Sequence, residues 1–511
     1  MTGIMILLCL ILIIIVVVQV GKVSELAGGI RGEEAIQASR NAFSAKMSMV
    51  FLVLFLIGCV WSSIYYAPSI LWYGPHVSAS EHGGMIDSLF NTTLFFTGIV
   101  FVITHILLFY FAYKYSAKEG RRAKFLAHDT KLEIVWTVIP AVTMCYLVIQ
   151  GLVAWNVVMT DTDEYYVEIE ATGQQFYWTI RYPGADNVLG TKYFRNIGPT
   201  NDLGMDWSDE KSHDDVISSG GGEIIKIPLG KEIRVRITAK DVLHNFDLPH
   251  FRVKMDAIPG LPTYFKFTPA VTTEQYRKNL SVLDEEGNPK YAEWHILADP
   301  EEPDGPKRWE AFQYELACAE LCGKGHYSMR RYIEVVTEEE WLQWMAEQNS
   351  YYMSTIRNTD DDPYKGQLIA ADIKDRSKTF RNRLAEALAK EEVADRILRF
   401  DYVNFQTGNA DLTENSQYEL GDLVNAMSKY PGMTIEVAGH TDNVGDAAMN
   451  FALSNNRAQS VYQFLLDKGI SASRMTAKGY GDTVPVDAGA DNNDAENRKN
   501  NRRTEFKILT K

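Results

Sequence analysis

Cysteine is scarce in this chain: five among 511 residues, too few for a disulfide scaffold. Positive charge is also in deficit, with 51 Lys and Arg against 66 Asp and Glu and a formal net charge of −15. No basic patch stands out, and phosphate recognition needs one, so no nucleic-acid partner is expected. Internal repeats and low-complexity tracts are missing. No C-x-x-C-H sequence occurs, so no haem attached to this chain is expected. The length suits about three folding units. A mean hydropathy of −0.17 would fit a soluble protein. That average conceals a sharp division along the chain.

Residues 3–20, 47–66, 93–113 and 135–158 form four apolar stretches. Each approaches or exceeds the ~20 residues that cross a bilayer as a helix. The opening Met1-Thr2-Gly3-Ile4 lacks the positive charge with which a signal peptide begins, so a retained span is expected. Lys114, Lys118, Arg121, Arg122, Lys124 and Lys131 put the loop after the third span in the cytoplasm, where Lys and Arg accumulate. Lys22, Arg31, Arg40 and Lys46 say the same of the loop between the first two, whereas residues 69–91 contain neither residue type. Four spans then leave both termini, and everything after about Asp161, outside the cytoplasm.

From residue 164 to about 336 the pattern becomes short and alternating, as in Tyr166-Val167-Glu168-Ile169-Glu170 and Ile233-Arg234-Val235-Arg236-Ile237. A period of two marks half-buried strands, hence a β-sandwich or barrel. An amphipathic turn over residues 341–345 closes this region. Residues 350–377 show little periodicity and read as a linker. A helix carrying Leu384, Leu388, Val393 and Ile397 follows, and residues 400–511 mix strand and helix signals as a compact α/β unit.

The sharpest signal is Cys318-Ala319-Glu320-Leu321-Cys322-Gly323-Lys324-Gly325-His326-Tyr327-Ser328-Met329. Thiolate, thioether and imidazole together favour copper, whereas hard cations want oxygen. Zinc sites normally use four Cys or His ligands without Met. A mononuclear blue-copper site needs one Cys, so two suggest a pair of copper ions bridged by thiolates. The two cysteines could also close a disulfide or simply lie buried, but His326 and Met329 in register favour metal. Cys9, Cys59 and Cys145 lie in apolar runs and read as inert membrane thiols.

This cluster resembles the dinuclear copper A loop of cytochrome c oxidase subunit II. A second matching stretch is Asp241-Val242-Leu243-His244, followed by Lys254-Met255-Asp256-Ala257-Ile258-Pro259-Gly260. The resemblance, and not spacing, nominates His244 as the second imidazole. It implies that Cys318 and Cys322 bridge two copper ions and that His244 and His326 bind one each. Met329 and the backbone carbonyl of Glu320 would be axial ligands, and the Glu320 side chain would share magnesium with subunit I. Glu133-Ile134-Val135-Trp136-Thr137-Val138-Ile139-Pro140 is similar to the start of the family's second helix, where the Glu lies at the mouth of a proton channel. An acid at a helix start is also favoured by the macrodipole alone. His105, inside the third span, is open to functional or packing readings. The resemblance covers about residues 90–344.

The implied activity is electron transfer from a cytochrome c, or a cytochrome-c domain of a partner complex, to haem in subunit I, where oxygen is reduced. The acidic balance suits steering of a basic donor, with Asp161, Asp163, Glu164, Glu301, Glu302 and Asp304 as candidates beside an ordinary solvated-loop role. One departure concerns the aromatic region that receives electrons. It reads Gly173-Gln174-Gln175-Phe176-Tyr177-Trp178, with Phe176 where the family places Trp, which counts against a Trp-mediated entry route and leaves a different donor, a tethered one included, open. Residues 183–222 and 268–309 are longer than usual, and the first two spans are additions to the family's single hairpin.

The end of the chain carries Ile435-Glu436-Val437-Ala438-Gly439-His440-Thr441-Asp442-Asn443-Val444-Gly445, then Asn450, Leu453-Ser454, Arg457-Ala458 and Asn501-Arg502-Arg503-Thr504-Glu505. Over residues 397–509 this resembles the OmpA-like peptidoglycan-binding domain. There Asp442 and Arg457 would hold the zwitterionic end of the peptide stem, a carboxylate taking ammonium and a guanidinium taking carboxylate. Without that context they could be one more surface ion pair. His440 would order the turn.

The expected molecule is a multidomain membrane protein with four transmembrane helices, a cupredoxin-like β-sandwich and a C-terminal α/β OmpA-like domain. Its divisions are two additional helices over 1–68, a helical hairpin over 90–160, the copper domain over 164–337, helix and linker over 338–396, and the tail over 397–511. It would sit in the bacterial inner membrane as an oxidase subunit, with the copper and tail domains in the periplasm. The rivals are an electron-accepting subunit for nitric or nitrous oxide reduction and a membrane-to-wall structural anchor. Glu320 and the helix from Glu133 favour the oxidase, and an anchor leaves Cys318 to Met329 unexplained.

Overall fold

The computed structural model describes residues 2–31, 33–66, 78–118, 120–162, 165–220, 223–406, 408–487 and 494–511. The chain divides into two compact units, one of residues 1–190 and 215–348, the other of residues 191–214 and 349–511.

The first unit begins with helices α1 (Thr2–Arg31), α2 (Glu33–Tyr66), α3 (Gly83–Lys114) and α4 (Thr130–Met159). Among the described residues three helices are long and apolar enough to span a bilayer: Ile36–Tyr66, Gly83–Lys114 and Thr130–Met159. In α1 the described apolar run is Ile11–Val23, shorter than a span. The expected fourth span therefore falls partly on side chains outside the described set, Cys9 included. At the start of α4 the Asp129 side chain accepts a hydrogen bond from the Leu132 N–H at 3.1 Å, and Glu133 occupies the first turn. Both features suit the positive end of a helix.

Among the described residues the strands that follow are β1 (Tyr166–Gln174), β2 (Tyr177–Tyr182), β3 (Val216–Ser219), β4 (Ile225–Pro228), β5 (Glu232–Ala239), β6 (His244–Leu248), β7 (Val253–Ala257), β8 (Thr263–Phe267), β9 (Tyr314–Cys318) and β10 (Arg331–Val336). They form two five-stranded sheets, ordered β3-β2-β1-β5-β8 and β4-β10-β9-β6-β7. The alternation seen in sequence is realised: Ile233, Val235 and Ile237 of β5 are buried, as are Tyr314 and Leu316 of β9, in one shared core. Helix α5 (Thr273–Leu280) and an irregular antiparallel excursion, in which Leu297 bridges Lys307, account for the long 268–309 segment. The turn expected at 341–345 is helix α6 (Glu338–Glu347), opened by a capping box between Thr337 and Glu340.

The second unit contains α7 (Ala370–Ala389), β11 (Ile397–Arg399), α8 (Ser416–Lys429), β12 (Thr434–His440), α9 (Ala447–Asp467), β13 (Met475–Gly481), α10 (Ala495–Asn501) and β14 (Thr504–Thr510). Its sheet has the order β11-β14-β12-β13, with β12 and β13 parallel across α9. Three sequence expectations change here. Residues 191–214, assigned by sequence to the copper domain, belong to this unit. Within residues 350–377, Tyr352 and Ile356 are fully buried, and Arg357 pairs with Asp362 and Asp372. Irregular packing with His213 and Trp207, not periodicity, buries this stretch. The helix through Leu384 and Leu388 stops at Ala389, where Lys390 turns to extended backbone and its carbonyl accepts from the Arg396 Nε at 2.9 Å, and Ile397 sits in β11.

Candidate metal centre

Strand β6 begins at His244 and β9 ends at Cys318, and the two pair antiparallel with Phe246 opposite Cys318. This pairing brings a histidine 74 positions upstream to 3.8 Å from the Cys318 Sγ, through its Nδ1. The other ring nitrogen, Nε2, lies 2.9 Å from Asp241 Oδ1, which turns Nδ1 toward the thiol. Cys318 and Cys322 have their sulfurs 3.9 Å apart. Beyond them the chain makes a 3-10 turn over His326–Ser328, which sets the His326 Nδ1 3.7 Å and the Met329 Sδ 3.3 Å from the Cys322 Sγ. The Glu320 carbonyl lies 3.2 Å from Cys318 Sγ, while its side chain is exposed. All six sequence-nominated groups thus meet at one end of the sandwich.

The donor set fits copper. His244, Cys318 and Cys322 are buried, with ligand atoms within 4.8 Å of one another. Burial, and then the neighbouring Cys318, push the Cys322 thiol up to about 11. Two adjacent buried thiolates therefore need positive charge between them. Cys59 and Cys145 are free thiols in the spans, away from this cluster.

Trp178 is fully buried, its ring 6.0 Å from the His244 ring. Phe176 and Tyr177 are half-buried, and Phe176 covers Gly323 and Gly325 of the thiol loop. Sequence reasoning passed over Gln175 and the Asp241 carboxylate, because hydrogen bonds between distant turns leave no periodic trace. Glu133 lies far along the chain from the cluster, 3.7 Å from His128 and half-exposed. His105 packs on Phe101 and Phe55. Asp161, Glu301, Glu302 and Asp304 are exposed, and Asp163 and Glu164 lie outside the described residues.

In the tail, Asp442 Oδ2 accepts from Arg502 Nη1 at 2.6 Å. Arg457 donates to the Asn409 carbonyl at 3.3 Å and lies over the Phe405 ring. Burial, then the Arg502 guanidinium, lower the Arg457 pKa, with Asp442 opposing. Sequence reasoning assigned no role to Arg502, although its position beside Arg503 in the closing motif was the available signal. His440 stacks on Tyr480 and lies 3.2 Å from Glu505.

Fold and cluster together define a membrane-anchored β-sandwich with a His, Cys and Cys group able to hold a metal ion, followed in the chain by an α/β module. Family profiles agree: "Cytochrome C oxidase subunit II, transmembrane domain" matches residues 72–153, "Cytochrome C oxidase subunit II, periplasmic domain" residues 167–274, and "OmpA family" residues 404–502. The periplasmic match ends ahead of the thiol cluster. The alternative cytochrome c oxidase subunit 2 of Bradyrhizobium diazoefficiens is 31% identical over 309 residues, 60% of this chain and 95% of that protein. Outer membrane porin F of Pseudomonas fluorescens is 41% identical over 106 residues, 21% of this chain and 32% of that one. The crystal structure of the periplasmic domain of cytochrome oxidase subunit II of Bradyrhizobium japonicum covers 37% of this chain and 94% of its own, at 26% identity and TM-score 0.21. The chain belongs to the cytochrome c oxidase subunit II family. It is a subunit of an oxidoreductase, a membrane protein with a periplasmic β-domain and an OmpA-family tail.

Proposed function

We propose that the Cys318 and Cys322 thiolates, with His244, His326, Met329 and the Glu320 carbonyl, would hold two copper ions. The observation that carries this reading is the convergence of two thiols, two imidazole Nδ1 atoms and a thioether on one end of the sandwich. A bound copper pair supplies a one-electron carrier. The chain supplies rigidity: the ligands stand on paired strands and a closed loop, so their spacing changes little between redox states. Electrons arrive from cytochrome c, or a cytochrome-c domain of a partner complex, across the Phe176, Tyr177 and Trp178 region. They leave to haem in subunit I. The exposed Glu320 carboxylate is free to share magnesium with that subunit. Glu133, half-exposed at the start of α4, is a proton-channel mouth.

In the same reading α1 is a fourth span, the membrane is the bacterial inner membrane, and Asp442 and Arg457 bind the peptidoglycan stem. Metal analysis and electron paramagnetic resonance of the purified chain test the centre. Two coppers per chain with a delocalised mixed-valence signal are expected. Zinc, or no metal after reduction and reconstitution, overturns it. Phe176→Trp tests the electron route, with a faster reaction with soluble cytochrome c expected.

A further inference from the structure

We propose that Gln175 is a positioning residue that ties the two ligand-bearing loops of the metal centre together, an inference that rests on the copper reading above. Gln175 stands in the two-residue turn between β1 and β2, strands of the sheet that carries none of the candidate ligands. Its backbone N–H donates to Asp241 Oδ2 at 2.7 Å. The other oxygen of that carboxylate lies 2.9 Å from His244 Nε2. Its side-chain Nε2 donates to the Cys322 carbonyl at 2.6 Å. A carbonyl can only accept, so the NH2 end of the amide must face it. One residue therefore reaches a histidine ligand through a shared carboxylate and a thiolate ligand through that cysteine's own backbone.

The neighbouring residue completes the clamp. Gly323 has φ +136°, and a Cβ there would stand 2.9 Å from Gln175 Nε2. A Cβ on Gly325 would stand 2.4 Å from Phe176 Cγ. The thiol loop is thus shaped to receive the Gln175-Phe176 turn. On the other side, a Cβ on Gly173 would meet the His244 ring at 3.1 Å. The turn touches both loops, although 66 residues separate it from Asp241 and 147 from Cys322. Groups that orient ligands from outside are worth about 10- to 100-fold in metal affinity. Without the amide, the Cys322 backbone loses the fixed partner that sets its thiolate against Cys318 and Met329.

The test uses the full chain, loaded with copper, as wild type and as Gln175→Met, which keeps length and removes the donor. Copper release to a chelator, the hyperfine pattern in electron paramagnetic resonance, the reduction potential and the unfolding midpoint are read together. Copper loss about tenfold faster, with an altered hyperfine pattern and potential at an unchanged midpoint, is the expected result. Gln175→Asn, whose amide is drawn back by one methylene, carries the same test should the Met variant not fold. Both variants matching wild type in release and spectrum, or losing stability with an unaltered spectrum, overturns the role of Gln175 alone. A wild-type chain that takes up no copper overturns the copper reading, and this inference with it.

Discussion

Arg181 Nη1 donates to Asp215 Oδ2 at 2.9 Å inside the sandwich, both side chains only 1% exposed. The same guanidinium donates to Glu170 Oε2 at 2.7 Å and to the Gly190 carbonyl at 2.8 Å. Gly190 in turn donates to Asp215 at 3.1 Å. Gly190 and Asp215 bracket residues 191–214, so this cluster closes the neck of the long insertion.

Arg181→Met keeps the volume and takes from Glu170 and Asp215 the cation they share, leaving Glu170 with Arg236 at 3.7 Å. Removing one partner of a buried pair costs about 3–5 kcal/mol. Chemical denaturation is expected to register a loss of that size. Adding Asp215→Asn should recover part of it, because one stranded charge is then gone. A loss below about 1 kcal/mol would place the pair among exposed ion pairs.

How much of the centre was legible follows from chain distance. Cys318, Cys322, His326 and Met329 fall within one loop, so their chemistry can be read directly. His244 could not be found that way, since only the β6–β9 pairing brings it in, and resemblance had to nominate it. The sandwich was legible because alternation in β5 matches burial, whereas in β1 it holds only as far as Ile169, and Glu170 is buried against Arg181. The segment at 350–377 was not, because its order comes from Tyr352 against His213 and Arg357 between two aspartates. Such contacts have no period.

Phe176 and Gly325 should behave as a coupled pair. Gly325→Ala sets a methyl 2.4 Å from Phe176 Cγ, so the loop must shift. Copper loading is expected to fall, and Phe176→Ala in the same chain to restore much of it. Both variants and the double variant form a cycle in which copper content is the readout. Additive effects would show that the ring and the loop do not press on each other.

The tail should weaken in acid through Glu505. Burial alone would raise this carboxyl, yet contact with His440 and Arg503 outweighs it and holds it down at about 2. A depressed folded pKa contributes stability above the unfolded value, and that contribution is lost as pH falls. The window runs from the ordinary glutamate value of 4.5 down to about 2. Glu505→Gln is expected to lower stability at neutral pH and to flatten its decline across this window. A wild-type slope in the variant would assign the acid sensitivity elsewhere.

Muropeptide binding should separate Asp442, Arg457 and Arg502. Arg502 already neutralises Asp442 at 2.6 Å, while Arg457 donates to a carbonyl and lies over the Phe405 ring, with the Arg502 cation nearby. A stem carboxylate arriving at Arg457 would make a charge-assisted bond, worth about 1.5–3 kcal/mol, or roughly 10- to 100-fold in affinity. Arg457→Ala is therefore expected to lose at least tenfold, and Asp442→Ala likewise if the carboxylate takes the stem ammonium. Arg502→Ala is expected to fall between wild type and these, since it orients Asp442 without needing to touch the stem. Calorimetry with a soluble muropeptide reads all three. Unchanged binding in Asp442→Ala and Arg457→Ala would remove both assignments, and a loss in Arg502→Ala alone would move the stem site onto Arg502.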